Sequence, residues 1–264
     1  MPRVLLALLL CSTALLAQAE PRISIIIDDI GDRYDYGHQV VELPGPITCS
    51  FLPRTPYAAR LAREAHALGH EVMLHLPMES ENGKRLGPGG VTLEMTEQSF
   101  RDTVRADIAS IPFVTGINNH MGSLLTRHPG SMDWLMSEIN AHGGLYFVDS
   151  VTTRYTVAAK VALEHGLPTT RRDFFLDNDQ RPDAIRRQLA RAVASALRNG
   201  TALAIAHPHP GTLAVLAEAL PHLNEIGVRL VPVSQLIAVR QERSTQLWQA
   251  SLSPSPQDAK NLKQ

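Results

Sequence analysis

Apolar positions along this chain fall into two alternating patterns. Short, nearly continuous apolar runs are separated by longer stretches in which apolar residues recur every three or four positions. The first pattern suits a strand covered on both faces, the second one face of a helix. Strands are expected at 22–28 (RISIIID), 46–53, 70–77, 113–120 and 145–150, then within 167–177 and 201–211, with 228–237 closing the series. Helices are expected at 57–69, 96–111, 129–144, about 155–165, 181–200 and 212–227. Thr96 stands where an N-cap is needed, Pro182 near a helix start, and Gly69 and Gly200 at or just after helix ends. Residues 80–95, with Asn82-Gly83 and Pro88-Gly89-Gly90, form a long loop in this reading.

Strands separated by helices imply parallel pairing through right-handed crossovers. Seven or eight such units over ~215 residues fit a parallel (β/α) barrel better than two separate domains. An open doubly wound sheet is the second choice. No glycine-rich phosphate loop follows the first strand, where the sequence is DDIGDRYDYG, and this argues against a dinucleotide site.

In parallel α/β folds, chemistry sits at the carboxyl ends of the strands. Those ends carry Asp28-Asp29, His75, Asn118-Asn119-His120, Asp149-Ser150, Asp173 and Asp177, and His207 with His209. A lone histidine is more often packed or solvated than a ligand, so His66, His128, His142, His165 and His222, in helical or loop settings, carry no weight. A ring of Asp and His at successive strand ends is not needed for stability. Adjacent carboxylates disfavour joint ionisation unless a cation or a held proton offsets the repulsion. Asp and His ligands suit Zn²⁺ or a similar divalent ion, with an open position for water. One aspartate of the pair as ligand and the other as base is the arrangement this suggests.

Composition narrows the picture. Of the 264 residues, 44% are apolar, which permits a sizeable core. With 25 Lys+Arg against 26 Asp+Glu and no basic block, nothing points to nucleic acid. Residues 1–19 have the form of a signal peptide: Arg3, an apolar Val4–Leu16 and a small-x-small Ala17-Gln18-Ala19. The apolar run is too short for a stable membrane span. Removal would leave Cys49 alone, in an apolar setting that suits a buried thiol and excludes an internal disulfide. An exported chain in the periplasm or cell envelope is expected, with a barrel domain over 20–240 and a polar, disordered tail over 241–264.

The segments IIIDDIG, GHEVMLHLPME, NNHMGS, FVDS and AHPH, in this order across residues 21–240, resemble the divergent polysaccharide deacetylase family. The resemblance implies a distorted (β/α)7 barrel and a metal-dependent hydrolase removing acetyl groups from a polysaccharide or cell-envelope glycan. By resemblance, Asp28 is the base, Asp29 and His75 are metal ligands, and His207 is the acid to the leaving group. The related enzymes have a second histidine four residues after the first, where this chain has Glu79. Glu79 or His120 would complete the ligand set, and His120, which ends its own strand, is preferred. The arginine-proline motif of the wider superfamily is replaced here by NNHMGS. A glycan- or partner-binding protein that keeps the fold without catalysis is the alternative.

Overall fold

The computed structural model describes residues 20–252. The expected signal peptide, and the expected tail beyond residue 252, lie outside the described residues. In chain order the elements are β1 (Arg22–Ile30), α1 (Tyr34–Val41), β2 (Thr48–Phe51), α2 (Ala58–Ala67), β3 (Glu71–Met78), α3 (Glu97–Ser110), β4 (Val114–Met121), α4 (Pro129–His142), β5 (Tyr146–Asp149), α5 (Ala158–Glu164), β6 (Thr169–Arg171), β7 (Phe174–Phe175), α6 (Pro182–Asn199), β8 (Thr201–Ala206), α7 (Pro210–Ala219), β9 (Arg229–Leu230) and α8 (Val233–Leu252).

The strands pair in the order β6-β5-β4-β3-β2-β1-β8-β7, with β9 added to the start of β1, and the ladders are all parallel. The sheet curls into the expected distorted (β/α) barrel. Its distortion lies in the segment expected to form one sixth strand. Residues 169–171 pair with β5 and residues 174–175 with β8, so the chain changes partner at Arg172-Asp173. At that step Arg172 N–H donates to Asp149 O at 3.0 Å and Asp173 N–H to Leu203 O at 2.9 Å. Asp173 also accepts from Leu203 N–H at 2.7 Å. One segment therefore spans the two edges of the sheet.

Side chains alternate along each strand. Ile23, Ile25 and Ile27 of β1 pack with Cys49, Leu74 and Ile117 against the helices. Ile26, Met73, Tyr146, Val148, Leu203 and Ile205 fill the barrel interior. Val233, Leu236 and Ile237 at the start of α8 belong to that interior core, so α8 plugs the amino-terminal mouth. Ser24 Oγ–H donates to Val231 O at 2.7 Å, and Thr48 Oγ1 accepts from Val233 N–H at 3.2 Å, which fastens the plug. One end of the barrel is thus closed by apolar packing, leaving the carboxyl end for chemistry.

Three local differences from the sequence reading have physical reasons. Helix α1 was not expected, because it has a glycine in its middle and no side-chain cap at Arg33. Gly37 is there because a Cβ would meet Leu61 Cδ1 at 2.3 Å, so the glycine allows α1 to lie close on α2. The segment 228–237 is strand only at Arg229–Leu230, since Pro232 ends the ladder and helix follows. The tail expected from 241 is helical through Leu252: its residues are polar, but they are mostly good helix formers. Cys49 is free and buried, as expected, and burial raises its thiol pKa. Among the described residues no helix is long and apolar enough to cross a membrane.

Candidate metal centre

The alternation that puts Ser24 and Ile26 inside the barrel also turns Asp28 inward at the end of β1, where it is 2% exposed. Ser50 on β2, His75 on β3 and Asn118 on β4 occupy the same inward set, and His75 and Asn118 are register partners. A fully polar layer therefore lies on top of the apolar interior core. Asn118 links it together. Its Nδ2–H donates to Asp28 Oδ1 at 2.8 Å, and its Oδ1 accepts from Ser50 Oγ–H at 2.7 Å and from His75 Nδ1–H at 2.7 Å. His75 Nδ1 is also 3.5 Å from Asp28 Oδ1.

Asp29, His75 and His120 meet above this layer, each bringing one ligand atom close to the other two. Asp29 Oδ1 is 2.9 Å from His120 Nδ1 and 3.2 Å from His75 Nε2, and the two ring nitrogens are 3.2 Å apart. Atoms bound at zinc-like lengths to one tetrahedral centre lie about 3.3 Å apart. Asp29 Oδ1 is buried and makes no hydrogen bond of acceptable geometry, although two nitrogens lie beside it. A buried oxygen without a bonding partner in a carboxylate–imidazole–imidazole triangle fits a shared cation. Charge agrees with geometry. Burial would raise the Asp29 carboxyl, but the adjacent imidazoles outweigh it and hold the group well below the usual carboxylate range. Burial would lower His75, and the Asp28 and Asp29 charges outweigh it in turn, so its imidazole is held above its ordinary value.

Backbone geometry at the strand ends is unusual. Asp29 has φ 57°, Met121, directly after His120, has φ 52°, and Val151, after β5, has φ 51°. None is glycine, so each left-handed residue costs energy that the surrounding packing must hold. At Asp29 this turn breaks the alternation, and neighbouring carboxylates serve different places: Asp28 inside the polar layer, Asp29 among the imidazoles.

His207 follows β8 on the opposite side of Asp29, with Nε2 3.9 Å from Asp29 Oδ2. Its Nδ1–H donates to Asp177 Oδ1 at 3.0 Å, and its backbone N–H donates to Asp177 Oδ2 at 2.7 Å. Thr212 Oγ1–H donates to Asp177 Oδ2 at 2.9 Å. Burial lowers the His207 imidazole, but the Asp177 bond and the charges of Asp28 and Asp29 outweigh it, so its pKa is raised to about 9. Phe175 leans on the His207 ring at 5.1 Å, and Arg172 stacks on Phe175 at 4.9 Å. A cavity of about 240 Å³ opens beside this ring, lined by Asp29, Asp32, Arg33, Tyr36, His207 and His209.

Other strand-end residues have different work. Glu79 lies outside the triangle: its Oε2 accepts from Leu93 N–H at 2.8 Å and holds the long loop. Asp149 accepts from Val151 N–H at 2.9 Å and Thr156 Oγ1–H at 3.0 Å, and Asp173 holds the barrel seam and pairs with Arg240. His209, Asp177 and His207 form a second group of mutually close ligand atoms. Both Asp177 oxygens there are already taken by His207 and Thr212. Asn118 stands in the expected strand-end set without a role of its own, and Ser50 is not in that set. The only signal for Ser50 is its inward phase on a strand whose neighbours are apolar.

A curled parallel barrel with carboxylates and imidazoles gathered at its carboxyl end defines a class of deacetylase-like (β/α) proteins. Residues 25–237 match the divergent polysaccharide deacetylase family, and the chain belongs to it. It is 37% identical over 232 residues to YibQ of Escherichia coli (strain K12), covering 86% of this chain and 72% of that protein. Among solved structures, the fold is similar to that of ATU2773 from Agrobacterium tumefaciens C58, with TM-score 0.79, 23% identity, and coverage of 83% and 90% of the two chains. It is also similar to a T48 deacetylase solved with substrate, with TM-score 0.52, 14% identity, and coverage of 83% and 92%.

Proposed function

We propose that this protein is an exported, metal-dependent hydrolase that removes acetyl groups from a cell-envelope glycan. The observation that carries the reading is the Asp29–His75–His120 triangle, with an unbonded buried carboxylate oxygen between two imidazoles. These residues would hold a divalent cation, and Zn²⁺ matches the donor set. Such an ion supplies Lewis-acid polarisation of an acyl oxygen and a bound water of lowered pKa.

The remaining steps belong to the chain. Asp28, adjacent to the ligands and held by Asn118, takes the proton of the attacking water. His207 Nε2, with Nδ1–H fixed on Asp177, gives a proton to the departing sugar amine or alcohol. Asp177 keeps that ring oriented and supports its protonated form. The cavity beside His207, bordered by Tyr36 and Arg33, is where the sugar next to the acyl group would sit. The export part of the reading rests on the apolar Val4–Leu16 segment.

The test is direct. Protein purified without added metal is assayed for zinc by elemental analysis and for acetate release from N- and O-acetylated glycans, including peptidoglycan and chitin oligosaccharides. About one zinc per chain with acetate release is the expected result. Bound zinc without release from any of these substrates would overturn the hydrolase reading and leave glycan binding. Absence of zinc after metal repletion would remove the metal site itself.

A further inference from the structure

Resting on that metal-dependent reading, we infer that Asn118 is a positioning residue with two separable actions: its carbonyl sets the tautomer of His75, and its amide nitrogen holds Asp28 in place as base. Asn118 is fully buried and its three bonds fix the amide orientation. Ser50 Oγ–H and His75 Nδ1 converge on Oδ1, which can only accept. His75 Nδ1 therefore carries its proton, and Nε2 is the nitrogen left to face Asp29 and His120.

Without the amide, His75 Nδ1–H has Asp28 Oδ1 beside it at 3.5 Å. The base would then be drawn onto the ligand histidine. Asn118 stands between them and offers His75 a neutral acceptor and Asp28 a neutral donor. It thereby keeps two jobs apart that two side chains this close would otherwise merge.

The two actions predict different variants. Asn118→Asp keeps an acceptor for His75 Nδ1–H and replaces the neutral donor to Asp28 with a second carboxyl group, so that a shared proton occupies the base. Zinc affinity should stay within about threefold of wild type, while kcat falls by at least about 100-fold at little-changed KM. Asn118→Leu removes both actions, and zinc affinity should fall about 10- to 100-fold. Ser50→Ala, which only frees the amide, is the milder companion if the leucine variant does not fold, and it should lower zinc affinity by less than Asn118→Leu. Zinc affinity is read by competition with a chromophoric chelator. The His75 tautomer is read in the zinc-free protein by long-range ¹H–¹⁵N NMR at a pH above the raised titration of that ring, where it is neutral, with Nδ1–H expected in wild type and in Asn118→Asp, and a mixture in Asn118→Leu. Equal zinc loss in the aspartate and leucine variants, an unchanged kcat in Asn118→Asp, or an unchanged tautomer in Asn118→Leu would each overturn the inference. If wild type binds no zinc, the metal reading fails, and the tautomer measurement alone then decides the role of Asn118.

Discussion

Asp177 takes two hydrogen bonds from His207, one from the backbone N–H at 2.7 Å and one from ring Nδ1–H at 3.0 Å. Backbone and ring are therefore fixed by one carboxylate, and the other ring nitrogen is left facing Asp29. This pairing favours the charged imidazole. In the metal-free protein His207 should titrate at about 9, above its ordinary value of 6.5. Asp177→Asn should move that titration down toward 6.5, which NMR of the ring resonances would show. The sign for stability follows from the raised pKa. The contribution is fully present below the unfolded-state value near 6.5 and is lost as pH rises through about 9. An unmoved His207 titration in Asp177→Asn would show that Asp177 does not set its charge.

The metal triangle predicts which substitutions matter. His75→Ala and His120→Ala should each abolish stoichiometric zinc in elemental analysis, since each removes a ligand from a three-residue set. Glu79→Gln should leave zinc in place. Its cost falls on the loop, because the acceptor for Leu93 N–H changes from a carboxylate to an amide oxygen. A loss of stability of about 1 kcal/mol is expected there, seen as a lowered thermal midpoint. Zinc retained in His120→Ala and lost in Glu79→Gln would reverse the assignment of the third ligand.

Much of this was legible in the sequence because it depends on period and position. The β/α alternation shows where strands end, and Asp29, His75, His120 and His207 are conspicuous because each interrupts or follows an apolar run. Asn118 and Ser50 were less visible, since an amide or hydroxyl near a strand end has many ordinary uses. Only pairing across β2, β3 and β4 brings them onto the inward face beside Asp28. The same blindness worked in reverse for Asp149 and Asp173, which stand at strand ends like ligands but hold backbone N–H groups. Helix α1 was hidden by Gly37, whose reason is the nearby Leu61 side chain and not local propensity.

Asp28 and Asp29 are neighbours with opposite expected phenotypes. Asp28→Asn keeps the shape of the buried layer and removes the proton acceptor, so turnover should fall about 10²- to 10⁴-fold with zinc retained. Asp29→Asn removes the charged member of the ligand triangle, so zinc affinity itself should drop. Paired measurements of zinc content and acetate release distinguish the two. Wild-type turnover by Asp28→Asn would exclude it as base.

Away from the site, Asp107 on α3 is fully buried with neither carboxylate oxygen in a well-formed hydrogen bond. Arg54 is its charged neighbour among the described residues, with Nε 2.7 Å from Oδ1, and its carboxyl packs where a Cβ on Gly89 of the long loop would stand, at 2.4 Å. Burial pushes the carboxyl up to about 7, against the downward pull of Arg54. The folded state therefore holds a proton on Asp107 at pH values where the unfolded chain, near 3.8, has lost it. Stability from this group is full below about pH 3.8 and is lost as pH rises through about 7, with a slope of at most about 1.4 kcal/mol per pH unit. Asp107→Asn keeps the size and removes the titration. Thermal midpoints of both proteins measured from pH 4 to pH 9 should diverge as pH rises, with the asparagine protein gaining relative to wild type until about pH 7 and holding a constant lead beyond it. A difference that stays flat across that range would mean that Asp107 is ionised in the folded protein throughout, with the Arg54 pair outweighing its burial.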